Sequence, residues 1–124
     1  MKASRKADWL LNQQKNLHDQ WSNQLFIDAT LAQIQIDFAK FNALLQINNP
    51  FTLSELELEV EHQLNKISNH SPEKIPQLIY TIDLPEEIFN EIIRYSESVN
   101  TDIAKCIVVR EAMKVYLRTK FSKA

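Results

Sequence analysis

The chain has 124 residues, 44% of them hydrophobic and 24% charged, with a formal net charge of −2 and a sequence pI near 5.9. That length suits one domain, or one small domain with a helical extension, and the apolar content sets the chain apart from disordered sequences. Gly is absent, which excludes Gly-rich phosphate loops of the P-loop and dinucleotide types and disfavours tight primed hairpins, so a mostly helical chain is the natural outcome.

Cys106 is the single cysteine, which rules out an intrachain disulfide and a Cys-based metal site and fits a reducing compartment. No apolar run approaches the roughly 20 residues needed to span a bilayer. Met1 to Lys6 is basic, but no apolar stretch follows it, so it is not read as a secretory signal. The expected location is the cytoplasm, with no membrane association. Charge is unevenly placed. Glu55, Glu57, Glu59 and Glu61 form an acidic cluster, whereas Lys105, Arg110, Lys114, Arg118, Lys120 and Lys123 are opposed by Glu111 alone. Local charge, not the whole-chain sum, decides phosphate binding.

In chain order, Met1 to Lys6 is expected to fray. From about Ala7 to Ile47 there is neither Pro nor Gly, and helix formers dominate. Leu31, Ile34, Phe38, Phe41 and Leu45 make a bulky stripe. Leu25, Ala29, Ala32, Ile36, Ala39 and Ala43 make a second, Ala-rich one, so this helix can pack against two neighbours. Unbroken, it would run on the order of 60 Å, so either it breaks near Asn16 to Asn23 or it extends into a partner. Asn48-Asn49-Pro50 ends the segment. Thr52 with Glu55, and Ser54 with Glu57, have capping-box spacing. The alternation from Glu55 to Glu61 is a strand pattern, but Leu53, Leu56, Val60, Leu64 and Ile67 form a helical stripe, and the caps decide for a helix from about Leu53 to Ser68. Ser68 to Pro76 reads as a linker, which divides the chain into a helical region 1–70 and a second region 71–124.

Leu78, Tyr80, Ile82 and Leu84 alternate with Ile79, Thr81 and Asp83, the period of a strand with one buried face. Pro85 stops it, and Glu86 and Glu87 suit a helix N-terminus. Ile88, Ile92, Tyr95 and Val99 then recur at helical spacing. Asn100 tolerates the left-handed conformation at a helix end, and Asp102 is a plausible cap for a last helix carrying Val108, Val109, Ala112, Met113, Tyr116 and Leu117. A lone strand leaves its backbone unpaired, so residues 78–84 are expected to pair with the same segment of a second chain.

That strand–helix–helix order resembles the ribbon-helix-helix DNA-binding family over the last third of the chain, on Leu84-Pro85-Glu86-Glu87-Ile88-Phe89 and on Val108-Val109-Arg110-Glu111-Ala112-Met113 with Tyr116-Leu117. The resemblance implies a mainly α chain dimerising through its strand, an N-terminal helical segment as effector or partner module, and a ribbon in the major groove of double-stranded DNA. Thr81 and Asp83 would lie near base edges, the backbone at Thr101 and Asp102 would hold a phosphate, and Lys105 and Arg110 would add affinity. Implied roles are transcriptional repressor, antitoxin-like autoregulator or plasmid mobilisation accessory. Two departures stand out: Asn100 takes the place of the family's usual turn Gly, and the outward strand positions hold Ile79, Thr81 and Asp83 instead of basic or amide side chains.

Other candidate chemistry is sparse. His18, His62 and His70 lack chelating spacing and read as surface residues, so no metal or other cofactor is expected. Cys106 lies among Ile103, Ile107 and Val108 and reads as a small buried hydrophobe, not a nucleophile. The chain is therefore not expected to be an enzyme. Trp9 and Trp21, with Leu10, Leu17 and Leu25, either form a strip for a protein partner or cap the core. The alternative to DNA binding is an all-helical protein–protein interaction protein, an adaptor or inhibitor.

Overall fold

A computed structural model describes residues 4–121. These form six α-helices: α1 (Arg5–Leu17), α2 (Gln24–Ala39), α3 (Leu53–His70), α4 (Lys74–Ile82), α5 (Glu86–Tyr95) and α6 (Val99–Phe121), with a 3-10 turn at Gln20–Ser22. Among the described residues there is no strand. Of the terminus expected to fray, Met1–Ala3 lie outside the described residues; Ser4 caps α1, accepting from the Ala7 N–H at 3.1 Å, and Arg5 and Lys6 begin the helix.

The segment without Pro or Gly is two helices. Between them Asn23 is extended, and its side chain accepts from the Leu25 N–H at 3.0 Å, starting α2. At the far end Asn42 adopts φ 58°, and the Ala43 N–H folds back to the Phe38 carbonyl at 3.1 Å. The chain then runs extended, so Leu45 and Phe51 reach the core from outside the helix that the sequence periodicity had assigned to Leu45. In α3 both halves of the Thr52–Glu55 capping box form, at 3.1 and 2.9 Å.

Residues 78–84 overturn the expected strand, and with it the ribbon-helix-helix architecture. They are the body and cap of α4. Ile75, Leu78, Ile79 and Ile82 are buried, the i, i+3, i+4, i+7 face of a helix, whereas Tyr80 is 87% exposed. The alternation of 78, 80, 82 and 84 was a coincidence of a short apolar run, which periodicity alone assigns poorly. Pro76 had marked the preceding stretch as linker. It actually sits in the first turn of α4, where N–H groups have no helical partner and a missing one costs little. Asp83 ends the helix at φ 67°, ψ 40°, and the Leu84 N–H donates to the Ile79 carbonyl at 3.2 Å. The next boundary also moves. α5 ends at Tyr95, and α6 begins at Val99, so Asn100 and Asp102 lie in its first turn, not in a turn and a cap.

The other helices pack around α6, whose Ile103, Ala104, Cys106, Ile107, Val108, Val109, Ala112, Met113 and Val115 are buried on every side of the axis. A helix apolar all round belongs in the middle of a bundle. One cluster joins Ile34 and Phe38 of α2, Leu56, Val60 and Leu64 of α3, Leu78 and Ile82 of α4, and Ile88 and Ile92 of α5 to the first half of α6. A smaller one seats Leu17 and Phe26 against Val109, Met113 and Val115.

Ile82→Ala should lower stability by about 2–5 kcal/mol, and Tyr80→Ala should leave it within about 0.5 kcal/mol. A strand with 78, 80, 82 and 84 on its buried face would make both substitutions costly. Urea titration of the two variants reads the difference.

Candidate functional site: a buried carboxyl pair between α2 and α6

Two acids are sunk into the α2–α6 contact. Asp37 lies between the buried Ile34 and Phe38 of α2, and Glu111, 0% exposed, lies between Val108 and Ala112 of α6. Lys114, one turn beyond Glu111, bridges them. Its Nζ is 3.1 Å from Asp37 Oδ2 and 2.7 Å from Glu111 Oε1. Lys40 reaches Asp37 Oδ1 at 3.5 Å, Gln33 donates to Asp37 Oδ2 at 3.4 Å, and Arg118 donates to Gln33 Oε1 at 2.9 Å.

One ammonium inside the contact cannot neutralise two carboxylates. Burial pushes the Glu111 carboxyl up to about 8, and its hydrogen bond to Asp37 pushes the same way. Burial also works against Asp37, but hydrogen bonds from Glu111 and Lys114, with the Lys114 charge, hold it below the usual carboxylate range. Glu111 is therefore the partner that keeps its proton near neutral pH, beside ionised Asp37. As a carboxylate it would be a poor fit: neither oxygen receives a hydrogen bond, and Lys114 contacts Oε1 off the direction such a bond needs. The pair can hold and release a proton. Cys106, the only thiol, is fully buried and raised to about 12 by that burial, which keeps it protonated.

The residues singled out from sequence lie elsewhere and are not brought together. Thr81 is on α4, its hydroxyl donating to the Gln77 carbonyl at 2.9 Å. Asp83 accepts from Arg110 twice, through its carbonyl and through Oδ2, each at 2.9 Å. Asp102 accepts from Lys6 Nζ at 2.9 Å and Ser96 Oγ at 2.7 Å; burial alone would raise it, and these bonds hold it low. Thr101 is half-buried in the first turn of α6, and Lys105 is exposed on that helix, near Glu57 of α3, where burial raises Glu57 and the Lys105 charge opposes that rise. Trp9 and Trp21 are half-buried and touch both core clusters, Trp21 edge-on to Phe26 at 5.5 Å. His18, His62 and His70 are exposed, and no group of three metal-ligating side chains occurs among the described residues.

The carboxyl pair escaped sequence reasoning although a signal was present. Glu111 is the one acid in the apolar run Ile107–Met113, and Asp37 sits inside the bulky stripe of α2. Neither residue is marked by a motif, and only the fold pairs them.

A second acid does a structural task. Glu91 of α5 accepts from Ser4 Oγ at 2.6 Å, the Arg5 N–H at 2.8 Å and the Lys6 N–H at 3.2 Å, an intrachain anion at the N-terminus of α1. The Ser4 hydroxyl leads in holding its carboxyl below the ordinary 4.5. A lowered carboxyl stabilises above its ordinary value and loses that effect as pH falls through its folded value. Glu91→Gln should therefore loosen the first turn of α1 at neutral pH, so that trypsin cuts after Arg5 and Lys6 severalfold faster, and acid should loosen it in the unchanged chain. Equal cleavage of both proteins would refute the anchoring role.

No protein-family model, curated protein or solved structure matches this chain.

Proposed function

We propose that this chain is an all-helical protein–protein interaction protein, of adaptor or inhibitor type, acting without catalysis and without nucleic acid. The observation that carries the reading is the outer face of α2. Leu25, 80% exposed, and Ile36, 59% exposed, share one side of the helix with the exposed Ala32 and Ala39 and the half-buried Ala29. This is the Ala-rich stripe that suits a second neighbour. The bulky stripe of α2, Leu31, Ile34 and Phe38, packs into the core, and Ala29 packs against the smaller cluster, whereas Leu25, Ala32, Ile36 and Ala39 stay exposed. Small side chains allow close approach of another helix, and the two large apolar residues supply area to bury.

Charge placement supports the same reading. Three of the basic residues of α6 are engaged within the chain, Arg110 with Asp83, Lys114 with Asp37 and Glu111, and Arg118 with Gln33, whereas Lys105 stays exposed. Helix burial of Leu78 and Ile82 removes the ribbon on which base reading depended.

A benzophenone photo-crosslinker at position 32 of the full chain tests this. The expected result is one defined protein adduct, competed away by unmodified chain but not by a Leu25→Asp, Ile36→Asp chain of unchanged melting temperature. Adducts that the double variant competes equally well, or salt-sensitive binding to mixed duplex DNA, would overturn the proposal.

A further inference from the structure

The carboxyl pair has a consequence that does not depend on what α2 binds. Glu111 is faced by Asp37 from α2, with Lys40 behind it, and by Lys114 from its own helix. The other charges along α6 are turned elsewhere: Arg110 to Asp83 at the end of α4, Arg118 to Gln33, Asp102 to Lys6 of α1 and Ser96, and Lys105 towards Glu57 of α3. Asn100 bonds Asn65 of α3 at 2.8 Å. The α2–α6 contact thus differs from the others. It places two carboxyls, both almost wholly out of water, beside the half-buried Lys114, with both Glu111 oxygens unserved by any donor.

We propose that the α2–α6 contact is a proton-operated latch, closed while Glu111 carries a proton beside Asp37 and Lys114, and loosened when that proton leaves and α2 swings away from α6. Loss of the proton sets two carboxylates against Lys114 in a medium that solvates neither. Release of α2 lets Glu111 reach water. Opening breaks no covalent bond, and the proton passes to solvent.

The direction with pH follows from the shift. In the closed form Glu111 is raised to about 8, whereas in the open form it has its ordinary 4.5. Between these values the open form binds fewer protons, so opening becomes easier as pH rises. One proton allows up to about tenfold in the opening equilibrium per pH unit, levelling off above the raised value. Asp37, shifted the opposite way, loses its stabilising effect only as pH falls below the usual carboxylate range, outside this window.

Amide exchange of the full chain at pH 5.5, 6.5, 7.5 and 8.5, corrected for the intrinsic pH dependence, reads the latch. Exchange in 24–39 is expected to rise by about a hundredfold between pH 5.5 and 7.5, with a much smaller rise in α3. Glu111→Gln keeps an N–H donor towards Asp37 and cannot ionise, so its α2 exchange should be flat over the same range. Carbon-13 NMR of the side-chain carboxyls follows Glu111 in the unchanged chain, so the question stays decidable if the variant fails to fold. A Glu111 carboxyl titrating in the ordinary glutamate range would overturn the latch. So would equal pH dependence of α2 in the two proteins, or a rise shared equally by all helices.

Discussion

Everything in this fold depends on removing α6 from water on all sides. A helix of 23 residues with apolar side chains around its whole circumference cannot be satisfied by one neighbour or two. α2 and α3 take its broad flanks, α1 and α5 close over its first half, and α4 fills the remaining gap. Each surrounding helix needs only one apolar stripe. That is why α5 reads from sequence as an amphipathic helix, and why the helical stripe of α3 stands beside its strand-like alternation until the caps decide.

What the sequence made legible was whatever is settled within about one turn of chain. Thr52 and Glu55 meet across three residues, so the start of α3 could be placed from spacing alone. Pro85, Glu86 and Glu87 placed the start of α5 on the same grounds. The failures share a cause. Leu78 to Leu84 is too short for its period to be unique, and the choice between helix and strand falls to Ile75, three residues upstream and beyond a Pro taken for a boundary. Once Ile75 joins Leu78, Ile79 and Ile82 on one face, a helix buries four large side chains; a strand would have buried Tyr80 instead of Ile79. Tertiary packing decided the matter, and that information lies in other helices. Asp83 shows the same limit. As a strand residue it looked misplaced, whereas as a left-handed cap bonded to Arg110 it has an evident task.

The charges gain partners that the sequence alone does not show. Arg110, Lys114 and Arg118 recur at steps of four along α6 and turn to Asp83, to the carboxyl pair and to Gln33. Their spacing matches the groups they meet on neighbouring helices, so this part of the charge asymmetry of the sequence reports internal wiring. The two tryptophans follow the same logic: indole rings that seemed available to a partner also bridge the two halves of the core.

A buried glutamate at the centre of such a bundle is a costly choice. A leucine at position 111 would pack into the same space without desolvating a carboxyl, and replacement of buried charged groups by apolar ones is often neutral or stabilising. Stability therefore gives no reason for Glu111, and its worth must lie in a property that leucine lacks. Two such properties bear on the α2–α6 contact: a polar contact through Lys114 that fixes the register of α2 on α6, and, under the latch proposed above, a proton that leaves as pH rises. Asparagine or glutamine would supply the first without the second. The placement of Lys114 argues for the second. A lysine that meets both acids lowers the cost of ionising Glu111 enough to bring the event within the range of ordinary solution conditions, where an isolated buried carboxyl would stay protonated throughout. The helix this proton holds is the one whose outer face is left uncovered, so a loss of hold on the inside of α2 would change the rigidity of the surface it offers on the outside.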